Sequence, residues 1–181
     1  MTDARAVYTP VRKVVTVKAT PERAFQRFTT EIGSWWPLAS HSIGGAESES
    51  VQMEGRVGGA IRERIRGGRE SVWGTVTVWD PPHRVAFTWH PGHDPAQAQD
   101  VEVRFTAVEQ GTRVELTHAG FERLGADAKM ARRAYPMGWQ YVLGLYAQTG
   151  GPVMWLLTGL TSTMVAAQRV VAWFRPKPTT A

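Results

Sequence analysis

Two titratable residues lie on faces that their neighbours mark as apolar. Glu63 alternates with Ile61 and Ile65. In an extended chain residues two apart share a face, so its carboxylate points with the isoleucines toward the concave side of a sheet. A carboxylate there contacts a ligand, pairs with an arginine or sits at a strand edge. Left alone it would protonate, because burial penalises the charged form. His118 shares a face with Val114 and Leu116. An imidazole in that position orients a ligand carbonyl, acts as an acid or base, or is a core histidine held by its neighbours. The run His90-Pro91-Gly92-His93-Asp94 has metal-ligating residue types. Its spacing fits no zinc signature, and its Pro and Gly describe a loop, so no metal is expected. His41 is equally isolated.

Aromatic density is the other chemical feature. Trp35, Trp36, Trp73, Trp89, Tyr135, Trp139 and Tyr141 fall in segments that can line one groove. Such rings pack a core. Around a cavity they also suit a flat apolar ligand, with indole and phenol groups fixing its orientation. Covalent chemistry finds little support. Cysteine is absent, which removes disulfides, thiol nucleophiles and cysteine metal sites. Ser34, Ser40, Ser42 and Ser71 have no identifiable activating base. Gly55-Arg56-Val57-Gly58-Gly59 is a strand bend without the helix that a phosphate loop requires. No catalytic residue and no cofactor is assigned.

Periodicity gives the elements that position these residues. Residues 11–18 are β-branched and predict a strand. Thr20 is a good N-cap and Pro21 suits the first helical position. Phe25, Phe28 and Ile32 then recur at helical spacing, with Gly33 as the end. From about residue 51 the period is two. Residues 51–57 and 59–66 predict paired strands around a bend at Gly58-Gly59. In 71–79, Val72, Val76 and Val78 alternate with Trp73, Thr75, Thr77 and Trp79, and Asp80-Pro81-Pro82 stops the strand. Val85, Phe87 and Trp89 mark the inner side of the next strand. Val101, Val103, Phe105 and Ala107 mark the one after it. A turn at Glu109-Gln110-Gly111 leads into the strand carrying His118.

After Phe121 the spacing turns helical. Met130, Ala134, Gly138, Tyr141 and Leu145 form one stripe, and Ala131, Tyr135, Trp139, Val142 and Tyr146 form its neighbour. Pro136 kinks this helix or marks its effective start. The fold class is therefore α+β. A strongly curved antiparallel sheet wraps around one long helix, and each covers the other's apolar surface.

A chain of 181 residues makes about one domain and buries roughly 70% of its unfolded surface. Gly150-Gly151-Pro152 separates a domain over 1–149 from an appendage over 150–181. In the appendage Val153, Leu157, Leu160, Met164, Ala167, Val171 and Phe174 repeat at four-three spacing. That predicts an extra C-terminal amphipathic helix, about 33 Å long at 1.5 Å per residue, before a short basic tail. Thr158, Thr161, Ser162, Gln168 and Arg169 make its other side too polar for a lone membrane span. The helix packs on its own domain or on a second copy, as in a homodimer. Docking on a membrane surface is the next reading. The net charge is +5, yet the densest basic run, Arg62, Arg64, Arg66 and Arg69, reads as a solvated sheet face, and no nucleic-acid partner is expected. The first 20 residues contain no apolar core of signal-peptide length, so the expected location is cytoplasmic.

Several segments resemble a known family. PPHRVAFTW, GTRVELTHAGF and GWQYVLGL, in that order, look like the activator of heat-shock-protein-90 ATPase homologue group. That group lies within the SRPBCC, or START-like, superfamily. TPERAFQRFTTEIGSWWP is similar to the first strand–helix–helix portion of such proteins. The resemblance runs from about Val11 to Tyr146. It implies a helix-grip fold with a cavity between sheet and long helix. The superfamily hosts lipid carriers, hormone receptors, cyclases and co-chaperones, so fold alone does not select a function.

The leading expectation is a non-catalytic binding protein that holds a small hydrophobic or amphipathic molecule, lipids included. Its ligand contacts would be Glu63, Phe87, Trp89, Phe105, His118, Tyr135 and Trp139. One alternative is a cyclase- or dehydratase-type enzyme with Glu63 or His118 as general acid or base. The other is a co-chaperone-like interaction module.

Overall fold

The computed structural model describes residues 8–148. Its strands are β1 (Val11–Val17), β2 (Ser48–Met53), β3 (Ala60–Ile65), β4 (Arg69–Asp80), β5 (Arg84–Trp89), β6 (Gln99–Val108) and β7 (Gly111–Ala119). They form one antiparallel sheet in the order β1-β7-β6-β5-β4-β3-β2. The first strand lies at one edge and the second at the other. The chain crosses between them through α1 (Pro21–Phe28) and two short 3-10 turns, Ile32–Ser34 and Gly45–Glu47. A further 3-10 turn, Phe121–Asp127, leads into α2 (Ala128–Gln148).

The sheet curls because β4 is bulged on both sides. Toward β3, Ile61 faces Gly74 while Arg62 faces Val72, which leaves Trp73 as the extra residue. Toward β5, Val76 faces Phe87 while Val78 faces Ala86, which leaves Thr77 extra. Each bulge bends and twists its strand. This corrects the simple alternation expected for 71–79: Trp73, Gly74 and Val76 are buried, whereas Val72 is exposed. Gly74 is required where it stands, since a Cβ there would lie 1.7 Å from the Thr88 carbonyl oxygen.

Helix α1 starts as expected, with the Thr20 hydroxyl accepting from the Arg23 amide and Pro21 in the first turn. It ends at Phe28 rather than running to Gly33. The reason lies in two hydroxyls. Thr29 Oγ1 donates to the Phe25 carbonyl at 2.8 Å and Thr30 Oγ1 to that of Gln26 at 3.1 Å. These bonds satisfy the last carbonyls and replace the next helical turn. Ile32 is buried from the 3-10 turn that follows.

Helix α2 begins at Ala128 and continues through Pro136, so the proline does not mark its start. Of the two stripes read from the sequence, Ala131, Tyr135, Trp139, Val142 and Tyr146 form the buried one. Met130, Met137 and Tyr141 face outward. The inner face of the sheet carries Val85, Phe87, Val101, Val103, Phe105, Val114 and Leu116, buried in the same core as that stripe. Each large side chain so covered contributes about 1.5–3 kcal/mol before entropy. The expected helix over 153–174 and the boundary after residue 149 lie outside the described residues. Among the described residues no helix is long and apolar enough to cross a membrane.

Candidate functional site

The inner face of the sheet and the buried stripe of α2 bring their rings into one cluster. Trp36 stands 5.3 Å from Trp73, Trp73 5.7 Å from Trp89, and Trp89 5.7 Å from Trp139, measured between ring centroids. Tyr135 stacks on Trp139 at 6.4 Å, and Phe87 reaches Trp89 at 5.8 Å. Every indole N–H in the cluster has an acceptor. Trp89 Nε1 donates to the Tyr135 hydroxyl at 3.0 Å, Trp139 Nε1 to His118 Nδ1 at 3.0 Å, Trp73 Nε1 to Glu63 Oε2 at 2.8 Å, and Trp36 Nε1 to the His41 carbonyl at 2.7 Å. These bonds fix the ring planes and make the cluster amphipathic inside. Burial pushes the Tyr135 hydroxyl well above the ordinary phenol range, so it stays protonated at neutral pH.

His118 is completely buried. Tyr135 meets its ring edge-on at 4.4 Å, and Phe121 lies against it at 4.5 Å. Burial lowers its pKa to about 3, with a smaller contribution from Arg132. The imidazole is therefore neutral at physiological pH, and one of its two nitrogens is committed to Trp139.

Glu63 is also completely buried, but its partners are not arginines. Oε2 accepts from the Ile43 amide at 3.0 Å and from Trp73; Oε1 accepts from the Gly44 amide at 2.8 Å and from the Ser48 hydroxyl. The carboxylate thus ties the segment between Pro37 and Ser48 to the sheet. Gly44 permits this approach, because a Cβ there would lie 2.8 Å from Ser48 Oγ and 2.9 Å from the Ile65 side chain. Ile43, Gly44 and Ser48 were not identifiable as partners from the sequence; the only signal was the small-residue pair Gly44-Gly45 ahead of a serine. The same segment carries His41, whose ring stacks on Tyr141 at 5.1 Å and contacts Ser40 Oγ at 2.9 Å. Burial lowers the His41 pKa to about 4.

Of the expected site residues, Glu63, Phe87, Trp89, His118, Tyr135 and Trp139 belong to this cluster or touch it through a hydrogen bond. Phe105 does not. It packs with Phe25 and Phe28 of α1 at 5.4 and 5.8 Å, in a second aromatic group that includes Trp35 and Tyr146. Tyr141, expected along the groove, is nearly half exposed on the outer side of α2. Three arginines of the basic run are ion-paired at the surface: Arg62 with Glu54 and Glu70, Arg64 with Glu70, and Arg66 with Glu47. In the loop after β5, Asp94 caps the Ala96 amide at 2.8 Å. Among the described residues no three metal-ligating side chains converge.

Comparisons with known proteins agree with this architecture. The model of the family described as activator of Hsp90 ATPase homolog 1-like protein matches residues 18–145. No curated protein matches the chain. Among solved structures, the anthrahydroquino-gamma-pyrone synthase Txn09, determined as a complex, is 33% identical with a TM-score of 0.51, over 91% of this chain and 97% of that one. Protein MLL2253 of Mesorhizobium loti is 20% identical with a TM-score of 0.56, over 77% of this chain and 95% of that one. The Aha1 dimer of Colwellia psychrerythraea is 18% identical with a TM-score of 0.54, over 80% of this chain and all of that one. The last two share the helix-grip fold.

Proposed function

The chain belongs to the activator of Hsp90 ATPase homolog 1-like family, and from that premise we propose that it is a cytoplasmic protein that binds one small, flat, hydrophobic or amphipathic molecule between the sheet and α2. The observation that carries this reading is the aromatic cluster with polar atoms inside it. Trp36, Trp73, Trp89, Tyr135 and Trp139 offer ring faces for stacking. His118 and the Tyr135 hydroxyl stand among them. Hydrogen-bonded Trp, Tyr and His also pack plain cores; a few polar groups at fixed positions among apolar rings are what a ligand chamber needs. Phe87 completes the wall on the β5 side. Glu63 supports the wall from behind Trp73. Phe105 packs against Phe25 and Phe28 of α1, outside this wall.

The test is a titration of native protein with an apolar fluorescent probe. One saturable site in the micromolar range is expected, about −8 kcal/mol, with quenching of tryptophan fluorescence. A urea series run in parallel separates this from probe uptake by partly unfolded chain. Absence of a saturable site in the folded protein would overturn the reading.

A second reading is favoured by the 33% identity to a synthase over most of both chains: the protein acts on the molecule that it binds, in a cyclisation. A neutral His118 then serves as a hydrogen-bond donor to a reacting carbonyl, polarising it as substrate charge develops. Glu63, with four protein donors, is a positioning residue for Trp73 and the segment over it. Turnover of an aromatic polyketone substrate that is lost in His118→Phe supports this reading; binding without turnover leaves the carrier reading. For the 153–174 stripe we infer contact with a second copy of the chain, on its sequence pattern.

A further inference from the structure

One nitrogen of His118 has no partner among the described residues. Trp139 Nε1 points at His118 Nδ1 from 3.0 Å. An indole nitrogen only donates, so Nδ1 is the unprotonated nitrogen and the ring proton sits on Nε2. Burial leaves the imidazole neutral at physiological pH, which makes this the only ring proton. Nε2 is therefore a buried N–H, and nothing among the described residues accepts from it. The rings of Tyr135 and Phe121 lie against the imidazole, 4.4 and 4.5 Å away between centroids. A buried donor without an acceptor is costly, and its presence calls for an acceptor from beyond the described residues.

A second unmet atom lies at the same end of the sheet. Gln99 is completely buried, and its Nε2 donates to the Gln97 carbonyl at 2.6 Å. That bond fixes the amide orientation, since a flipped amide would set oxygen against oxygen. Gln99 Oε1 is left without a donor among the described residues. Gln99 faces Trp89 across the β5–β6 ladder, and His118 faces Val101, two residues further along β6. Gln99 Oε1 calls for a ligand hydroxyl, whereas His118 Nε2–H calls for a ligand acceptor such as a carbonyl oxygen.

Resting on the binding reading above, we propose that the chamber selects flat conjugated ketones, and that the ligand carbonyl oxygen accepts a hydrogen bond from His118 Nε2–H. The matched probes are fluorene and fluorenone, which share one three-ring skeleton and differ by the carbonyl. Partition out of water alone favours the hydrocarbon. The proposal reverses that order: fluorenone binds native protein at least about tenfold tighter than fluorene. His118→Phe removes the preference while the ring stack persists. Because this variant also strands the Trp139 N–H, a second readout uses the wild-type chain. In its NMR spectrum the His118 Nε2–H resonance shifts on addition of fluorenone and stays in place with fluorene. Equal affinities for the two probes, or an Nε2–H resonance indifferent to bound fluorenone, overturn the proposal and leave the binding reading standing. If neither probe binds saturably, the binding reading falls and takes the proposal with it.

Discussion

Replacing Glu63 by Gln keeps the shape of the side chain and changes only what its two terminal atoms can do. The native carboxylate meets four donors: the amides of Ile43 and Gly44, the Ser48 hydroxyl and the Trp73 indole. A glutamine has one acceptor oxygen and one donor nitrogen. With the oxygen in the Oε2 position, Ile43 and Trp73 keep their bonds and the Ser48 hydroxyl can rotate to accept. The Gly44 amide then faces an NH₂ group. The other orientation strands both Ile43 and Trp73, so the first is adopted. One buried unmet donor costs about 1–3 kcal/mol, and hydrogen bonds to a charged acceptor are worth about 1 kcal/mol more than neutral ones. The expected loss is about 3 kcal/mol. Glu63→Ala, which strands all four donors, should lose more. Urea unfolding measures both values, and amide exchange at Ile43 and Gly44 reports the same bonds locally. A loss for Glu63→Gln below about 1 kcal/mol, with exchange unchanged at both amides, would refute the reasoning that this carboxylate holds the segment over the sheet.

Acid should weaken the fold through two histidines. In the folded chain the pKa of His118 is about 3 and that of His41 about 4, both lowered from 6.5 by burial. Below pH 6.5 the unfolded chain takes up protons that the folded chain refuses, so stability falls as pH falls. At pH 5 each histidine should cost about 2 kcal/mol relative to pH 7. Urea midpoints at the two pH values measure the drop, and His118→Phe should roughly halve it; a flat profile contradicts the burial argument. Trp139→Ala should lose about 3–5 kcal/mol, since it opens a cavity and strands His118 Nδ1; a negligible loss by calorimetry would remove Trp139 from the wall. Ending the chain at Gly150 should leave the sheet and α2 folded by circular dichroism but alter mass, solubility or lipid association. Light scattering and liposome flotation that match the full chain would leave the 153–174 stripe without a role.

The architecture could be read largely from residue spacing, because strands and helices impose periods on the chain. The direction of Glu63 followed from Ile61 and Ile65, and that of His118 from Val114 and Leu116; all six are buried. What lay beyond reach was set by contacts distant in sequence. Glu63 finds two of its four donors, the amides of Ile43 and Gly44, some twenty residues earlier, in a segment with no period to read. Trp139 meets His118 across twenty-one positions, and that bond decides which imidazole nitrogen carries the proton. The bulges in β4 shift the register by one residue without any local marker except Gly74. On α2 two adjacent stripes were both apolar, and only the position of the sheet made Trp139 inner and Tyr141 outer. Phe105 alternates correctly along β6, yet α1 covers it, so its neighbours are Phe25 and Phe28.

The central claim is that a small molecule occupies the space between sheet and α2. A native mass spectrum of the full chain, purified without detergent, tests it most directly. The spectrum should contain a species heavier than the chain by one small molecule, with that mass lost under denaturing solvent and recovered as a flat conjugated compound. A spectrum of the bare chain alone, which remains bare after incubation with excess fluorenone, would contradict the claim.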